Sequence, residues 1–579
     1  MQYLLRVSMK NKLIQKIFEN RGYTQDFLRE INNPSYARLM DIDTMCVRLK
    51  EIHDMGLCIT IYPDFDMDGI ASGTVGYSGL CELGFHVSLY IPDPSEGYGI
   101  SQKTVADLLY KYPGTNVIIS CDTGIGAMEA AQYCKIAGVE FLVTDHHKQD
   151  TVIPASIIVD PMRRDETYPH AICGAFVFWQ VLMRYAELYG TYLMQDQIAR
   201  LKVFAGIGTI SDSMPLLYEN RQLVRDAVMI SRMIYGDGST SSVACIPGTD
   251  QYRLAFWGLY DFMKVCETNG VIKSPEDIDE DFFGWYLAPI FNSAKRMNGD
   301  MSKAFGIFFC GNYGVENPRS DFAQYLYNLN SERKTLVAQK YREIMTSPQP
   351  YAPYIYLSDA DPGVLGLLAM KLMKNSGMPT FVMSDHGAGY SGNRYSGSGR
   401  SPEWFDSITI LQDLDYFFIA GHEHAFGCGV DNETHLNQMF LYLSTLIPNL
   451  VAKIEIKEAR PDYVIDTQWG RGDVGIDLMV FDEYLNDIED IKPFGKGFEE
   501  PVGCIRFTNR DVIEWKRIGS AQEHLKISLM GGFDILCWNQ GALISQKDKF
   551  ETHTVMGKLG RSEYRGVISI NFTGDFVEQ

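Results

Sequence analysis

The chain lacks the marks of a secreted, membrane-bound or zinc-stapled protein. Its 12 cysteines are scattered and no CxxC pair occurs. That speaks against a zinc ribbon or disulfide framework and for a reducing compartment. No apolar run approaches the roughly 18 residues a membrane-spanning helix needs. Arg6, Lys10 and Lys12 break up the first stretch before a signal-peptide core can form. No signal peptide, no membrane span and a cytoplasmic location are therefore expected. Internal repeats and low-complexity segments are missing too. Positive charge is scarce: 52 Lys and Arg face 73 Asp and Glu, a formal net charge of −21. Such a surface repels polyanions at large. It does not exclude a local basic channel, and an acidic site loaded with divalent metal reverses its own sign.

What is present is ample core material. The chain has 579 residues, 46% of them hydrophobic and 22% charged. At roughly 100–200 residues per domain, three or four domains are expected. Residues 1–55 read as a helical extension, with Leu13, Ile14, Ile17 and Phe18 on one face. Residues 56–235 begin as short apolar runs alternating with helical stretches, the pattern of βαβ units and a parallel sheet. Residues 236–348 read as a helical connector. Residues 349–452 form a second, smaller α/β unit starting at Tyr354-Ile355-Tyr356-Leu357, with a Gly-rich stretch, read as a loop, from Gly387 to Gly399. Residues 453–579 show short β-like runs, as in a small barrel.

The acids fall where ligands bind in open parallel sheets, at the carboxyl ends of strands. Asp64, Asp66 and Asp68 follow the run ending at Tyr62; Asp122 follows Val117-Ile118-Ile119-Ser120. Asp145-His146-His147 follows Phe141-Leu142-Val143-Thr144, and Asp160 follows Ile157-Ile158-Val159. A lone Asp after a strand is usually a helix cap or turn residue. This many acids in about 100 residues, with two adjacent imidazoles, fit a metal centre better. Carboxylate and imidazole donors suit Mn²⁺ or Mg²⁺, and with no cysteine expected nearby a soft-metal site is disfavoured. Two such ions, about 3.5–4 Å apart, hold a phosphoryl group for in-line attack.

Asp64-Phe65-Asp66-Met67-Asp68-Gly69, Asp122-Thr123-Gly124 and Thr144-Asp145-His146-His147 resemble successive motifs of the DHH phosphoesterase superfamily. Gly208-Thr209-Ile210-Ser211-Asp212, with Glu219-Asn220-Arg221 beyond it, resembles a fourth. The resemblance implies Asp66, Asp68, Asp122, His146, His147 and Asp212 as catalytic metal ligands, Asp64 as a further ligand or as an acid supporting the ligands from behind, and Asp145 as support for its histidine neighbours. Tyr62 stands where the family usually has His. Ile91-Pro92 with Glu96-Gly97-Tyr98-Gly99, and Asp160-Pro161 leading to Cys173-Gly174-Ala175, resemble the RecJ-type single-stranded-DNA exonucleases. So do Asp361-Pro362-Gly363-Val364-Leu365-Gly366, Pro493-Phe494-Gly495-Lys496-Gly497 and His524-Leu525-Lys526. Gly397-Ser398-Gly399-Arg400-Ser401 and Gly421-His422-Glu423-His424-Ala425-Phe426-Gly427 resemble the two DHHA1 motifs, Phe426 replacing a small residue. Asn292-Ser293-Ala294-Lys295-Arg296 stands where the family commonly has Asn-Ala-Ala-Gly-Arg.

The resemblance implies an α/β fold: a parallel-sheet DHH domain, a helical connector, a smaller α/β DHHA1 domain and a C-terminal OB-like β-barrel. It implies two divalent ions, Mn²⁺ or Mg²⁺, and 5′→3′ hydrolysis of single-stranded DNA to 5′-mononucleotides in recombination and repair. Other DHH/DHHA1 proteins hydrolyse short oligonucleotides or cyclic dinucleotides, and a non-catalytic scaffold is a third reading. For the phosphate, Arg296, Ser398, Arg400 and His422 are the candidates. For the strand, Tyr390, Arg394 and Tyr395 offer stacking and charge, with Lys516, Arg517, His524 and Lys526 in the β-rich module. Single-stranded DNA is the expected partner, with a single-strand-binding protein or helicase beside it, and the chain is expected to be a monomer.

Overall fold

The computed structural model describes residues 12–32, 37–94, 97, 99–149, 151–236, 246, 248–310, 318–387, 392–452, 460–466, 478–519, 521–547, 551–564 and 567–576. The chain divides into two compact units. One comprises residues 38–212 and 226–456; the other comprises residues 1–37, 213–225 and 457–579.

The first unit holds two sheets. Strands β1 (Cys58–Pro63), β2 (His86–Leu89), β3 (Val117–Cys121), β4 (Glu140–Thr144) and β5 (Ile157–Val159) lie in the order β2-β1-β3-β4-β5. All pairs are parallel. Every residue of β3 is buried, as expected of a parallel strand covered on both faces. Ile118, Phe141 and Val143 pack on Val105, Leu108, Ala130 and Cys134, which belong to the helices Gln102–Lys111 and Met128–Ala137. This parallel ladder aligns the carboxyl ends of β1, β3 and β4 along one edge.

The second sheet runs β6 (Ile355–Leu357), β7 (Thr380–Asp385), β8 (Tyr395–Arg400), β10 (Ala425–Val430), β9 (Phe418–His422). Only β6 and β7 pair in parallel; the other pairs are antiparallel. The DHHA1-like sequences are not loops. Gly397-Ser398-Gly399-Arg400 is the middle of this sheet, and 421–427 is a hairpin. The glycines are there for contact: a Cβ on Gly399 would stand 2.1 Å from Phe426 Cε2. Phe426 is buried over that gap, so its bulk is accommodated by the missing side chain opposite. The 29-residue helix Pro318–Thr346 belongs to the same unit.

The other unit is built on a seven-stranded mixed sheet: β11 (Tyr463–Asp466), β12 (Gly503–Thr508), β13 (Val512–Ile518), β14 (His524–Leu529), β15 (Phe533–Cys537), β16 (Thr552–Tyr564) and β17 (Val567–Phe576). Their order is β11-β12-β16-β17-β15-β14-β13. Leu13, Ile14, Ile17 and Phe18 of the helix Lys12–Asn20 are buried in one core with Tyr463, Ile505, Ile527 and Phe572 of this sheet. Arg21 seals that helix to β11 with a 2.7 Å ion pair to Asp462. Arg221 is buried here too: it donates to the carbonyls of Pro493 and Ile491, and its guanidinium lies 4.1 Å from the centre of the Phe498 ring. Among the described residues no helix is long and apolar enough to cross a membrane.

Candidate metal centre

Three strand ends of the parallel sheet and one helix end converge. Asp64 and Asp66 follow β1, Asp122 follows β3, and Asp145, His146 and His147 follow β4. Asp212 caps the carboxyl end of the helix Lys202–Ser211. Asp66 caps the helix Met67–Glu82, accepting from the backbone N–H groups of Asp68 (3.0 Å) and Gly69 (3.1 Å). Asp68, in the first turn of that helix, points at the start of the helix Gly174–Tyr189. It accepts from the N–H groups of Gly174 (2.7 Å) and Ala175 (3.2 Å). A helix N-terminus favours a negative charge there.

Two glycines make this crowding possible. A Cβ at Gly208 would stand 2.2 Å from Asp68 Oδ1, and one at Gly174 would stand 2.7 Å from Asp122 Oδ1. Asp122 itself has a φ of 60°, in the left-handed region that only Asp, Asn and Gly enter readily.

Three groups each bring their ligand atoms within 4.8 Å of one another: Asp64, Asp66 and Asp122; Asp68, His146 and Asp212; Asp122, His146 and His147. Every residue the family resemblance named as a ligand is in one of them. His146 Nε2 lies 3.0 Å from Asp122 Oδ1, 3.8 Å from Asp68 Oδ2 and 3.7 Å from Asp212 Oδ2. Asp145 is in none of the three groups. Its Oδ1 accepts from the N–H of His146 (2.7 Å) and meets His147 Nδ1 at 2.8 Å, and its Oδ2 accepts from the N–H of Ile125 (2.9 Å). Asp160 closes a turn by accepting from the N–H of Met162 at 2.6 Å. The Tyr62 hydroxyl donates to the carbonyl of Gly99 at 3.1 Å.

The electrostatics are those of anions crowded out of water. Burial, and then Asp66, push the Asp64 carboxyl up to about 8 and that of Asp68 up to about 6. Burial and Asp68 raise Asp122 well above the carboxylate range. Burial, with His147 beside it, lowers His146 to about 4 and leaves it neutral, as a metal ligand must be. For His147, burial works downward, but the contact with Asp145 outweighs it and lifts the imidazole to about 9.

The donor set fits divalent cations. Asp122 Oδ1 is buried and makes no aligned hydrogen bond, although His146 Nε2 is close. An anionic oxygen in that position is stable only beside a cation. Cysteine is not distant, contrary to the sequence reading: Cys121 and Cys173 are both buried among the acids. Cys173 Sγ turns to the carbonyl of Ala205 at 3.5 Å. Burial and Asp68 push both thiols far above their ordinary range. Neither offers a thiolate, so oxygen and nitrogen remain the donors.

A cluster of arginines adjoins the acids. Asn292 Oδ1 accepts from the N–H of Met67 at 2.8 Å, pinning the short helix Ser293–Arg296 to the acidic loop. Arg296 donates to the carbonyl of Gly363 (3.4 Å), Arg400 to that of Gly399 (2.7 Å), and Arg333 to Asn330 Oδ1 (3.0 Å). Burial lowers all three guanidinium pKa values; Arg296 depresses those of Arg333 and Arg400 further, while Asp66 opposes the shift at Arg296. Among the described residues none of the three forms an ion pair with a carboxylate. Arg333 escaped the sequence reading because an arginine in a long charged helix reads as solvent-facing.

Other candidates are placed differently. Ser398 lies on β8 beside Arg400. Arg394 directs its guanidinium at Asp385, with both contacts at 3.0 Å, and lies over Tyr395. Tyr390, Glu96, Tyr98 and the side chain of His422 lie outside the described residues. Lys516, Arg517, His524 and Lys526 belong to the unit with the seven-stranded sheet. Lys516 and Lys526 sit directly opposite across β13 and β14. Lys526 reaches Asp534 at 2.7 Å, and Arg517 donates to the carbonyl of Gly541 at 2.9 Å.

Comparison with known proteins agrees with this architecture. Residues 58–207 match the DHH family, N-terminal domain, and residues 474–574 match the RecJ OB domain. The single-stranded-DNA-specific exonuclease RecJ of Salmonella typhimurium is 24% identical over 98% of this chain and 95% of its own length. The Thermus thermophilus protein of the same name is also 24% identical, over 86% of this chain and 65% of its own length. The crystal structure of Thermus thermophilus RecJ in complex with Mn²⁺ superposes with a TM-score of 0.73 at 20% identity, covering 100% of this chain and 78% of the other. The Mg²⁺ complex gives a TM-score of 0.67 at 19% identity, covering 100% of this chain and 76% of the other.

Proposed function

We propose that this chain, which joins a match to the DHH-family N-terminal domain to a match to the RecJ OB domain, belongs to the RecJ-type branch of that family and is a metal-dependent exonuclease acting on single-stranded DNA. The observation that carries the reading is the adjacency of two unlike sites. A cluster of buried acids and histidines fit for two divalent ions lies against three arginines that form no ion pair with a carboxylate among the described residues.

Asp64, Asp66 and Asp122 would hold one ion, and Asp68, His146, His147 and Asp212, with Asp122 beside them, would hold the other. Asp145 fixes the His147 ring and the backbone of His146. Bound Mn²⁺ or Mg²⁺ supplies charge stabilisation for the phosphoryl oxygens and a water acidic enough to attack near neutral pH. Arg296, Arg333 and Arg400, with Ser398, grip the terminal phosphate. A forked guanidinium suits a phosphate as it suits a carboxylate. Anchoring the 5′ end there would set the first phosphodiester beside the acids and histidines of the cluster. The 3′-oxygen leaves, and 5′-mononucleotides are released in the 5′→3′ direction. The facing lysines Lys516 and Lys526 repel each other across the strand pair, and a phosphate between them relieves that repulsion. The protein acts as a cytoplasmic monomer in recombination and repair, with a single-strand-binding protein or helicase delivering the strand.

The test is incubation with Mn²⁺ and single-stranded DNA labelled at either end, alongside duplex DNA, single-stranded RNA and a cyclic dinucleotide. Early release of the 5′ label as mononucleotide is expected. Hydrolysis of the cyclic dinucleotide but not of long DNA would sink the proposal, and no hydrolysis of any substrate would favour a scaffold.

A further inference from the structure

We infer that Lys295 is a built-in counter-charge of the metal centre: it loosens the seat formed by Asp64, Asp66 and Asp122, so that the ion there binds firmly only together with a substrate phosphate. This rests on the metal-centre reading above and adds a residue to which that reading gives no role.

The geometry starts from the short helix Ser293–Arg296. Asn292, just before it, is tied to the N–H of Met67 at 2.8 Å. That bond fixes the helix against the loop carrying Asp64, Asp66 and Asp68. Lys295 is half-buried, and its Nζ stands 3.8 Å from the centre of the Phe65 ring. Phe65 is the residue between Asp64 and Asp66. A cation over an aromatic face is held by the ring's quadrupole, so the ammonium has a defined place beside those two acids. Burial lowers its pKa, and Asp64, Asp66 and Asp122 are the acids that oppose this. Asp64 in turn is drawn down by Lys295. The acids acting most strongly on Lys295 are thus those of one seat, and Asp68, His146 and Asp212 form the other group.

The consequence is electrostatic. The ammonium offsets one anion of the seat in the absence of metal, and it repels a divalent ion that enters. At an effective dielectric near 20, like charges several ångströms apart weaken binding by about tenfold or more. A substrate phosphate restores negative charge to the same place, so seat, ion and substrate are completed together. The sequence departs from the commonest form of its motif at this very position, with Lys where that form has Gly.

Calorimetric titration of Mn²⁺ into the full chain, with free Mn²⁺ counted by electron paramagnetic resonance, tests this without any turnover. The wild type should show a strong and a weak site. Lys295→Met should tighten the weak site about tenfold, while Lys295→Arg should keep the wild-type value because it keeps the charge. Lys295→Gln serves in place of Met if thermal melting shows that the Met variant is unfolded. Single-stranded DNA with non-hydrolysable linkages should tighten the weak site more in the wild type than in Lys295→Met. An unchanged or weakened site in Lys295→Met, or equal shifts in the Met and Arg variants, would overturn the proposal. A wild type that binds no Mn²⁺ would overturn the metal-centre reading itself, and the inference with it.

Discussion

The edge of the five-stranded parallel sheet and the surface of the seven-stranded sheet handle charge in opposite ways. At the first, acids of one sign are buried and crowded: Asp64, Asp68 and Asp122 all have carboxyls pushed upward. At the second, lysine and arginine are spread along strands, partly or fully exposed, and engaged with single partners such as Asp534 and the Gly541 carbonyl. The buried cluster needs cations to be stable in its charged form, and each member depends on the rest. The exposed set can trade one partner for a phosphate at little cost, and its members act nearly independently. On the proposed function, chemistry would belong to the first arrangement and the hold on the long strand to the second.

Perturbing each region should separate the two. The largest effect is expected from Asp122→Asn, which keeps the left-handed backbone but removes the shared charge. Turnover should fall by roughly a thousandfold or more with an unchanged circular dichroism spectrum; more than a few per cent of residual activity would contradict the assignment. Next, saturating the cluster with Mn²⁺ should stabilise the fold. A site filled at 100 times its Kd adds about 2.7 kcal/mol, read as a rise in Tm that a chelator reverses. No shift would mean that the acids do not hold metal in the folded state. Smaller again, Arg333→Ala should lower kcat/KM about tenfold or more on 5′-phosphorylated DNA and less on a 5′-hydroxyl end, as loss of a charge-assisted contact implies. Equal losses on both ends would remove Arg333 from the phosphate grip. The smallest effect belongs to the Lys516→Ala, Lys526→Ala double variant. Affinity for long single strands should drop a few-fold and the salt slope by about 1–2, while cleavage of a dinucleotide stays the same.

The same contrast explains what could be read from the sequence. Acids at the ends of apolar runs are visible because a parallel sheet makes its strands uniformly apolar and its edge polar, so Asp64, Asp122 and Asp145-His146-His147 stand out. Asp212 and Arg296 come from helix ends, where periodicity gives no such signal, and only their surrounding motifs pointed to them. Arg333 carried no signal at all. Its neighbours Asn330 and Glu332 are those of any solvated helix, and its role depends on Arg296, 37 positions earlier in the chain. Glycine misled at Gly397 and Gly399: a run of small residues reads as a loop, yet here it lets strands and Phe426 close on one another. The cysteines misled in the other direction, since scattered positions in the chain brought Cys121 and Cys173 to the same buried place.

The helix Lys12–Asn20 gives its apolar side to a sheet whose first strand begins at Tyr463, and Arg21 meets its partner Asp462 across 441 residues. On a ribosome adding roughly 5–20 residues per second, that helix waits on the order of 20–90 s for the strands that cover Leu13, Ile17 and Phe18. Everything between residues 38 and 212 emerges in the meantime and can find its own core. The order of synthesis therefore favours a chain whose parallel sheet is settled first and whose amino-terminal helix is taken up last. A co-translational helper that shields one short amphipathic segment would affect yield more than activity.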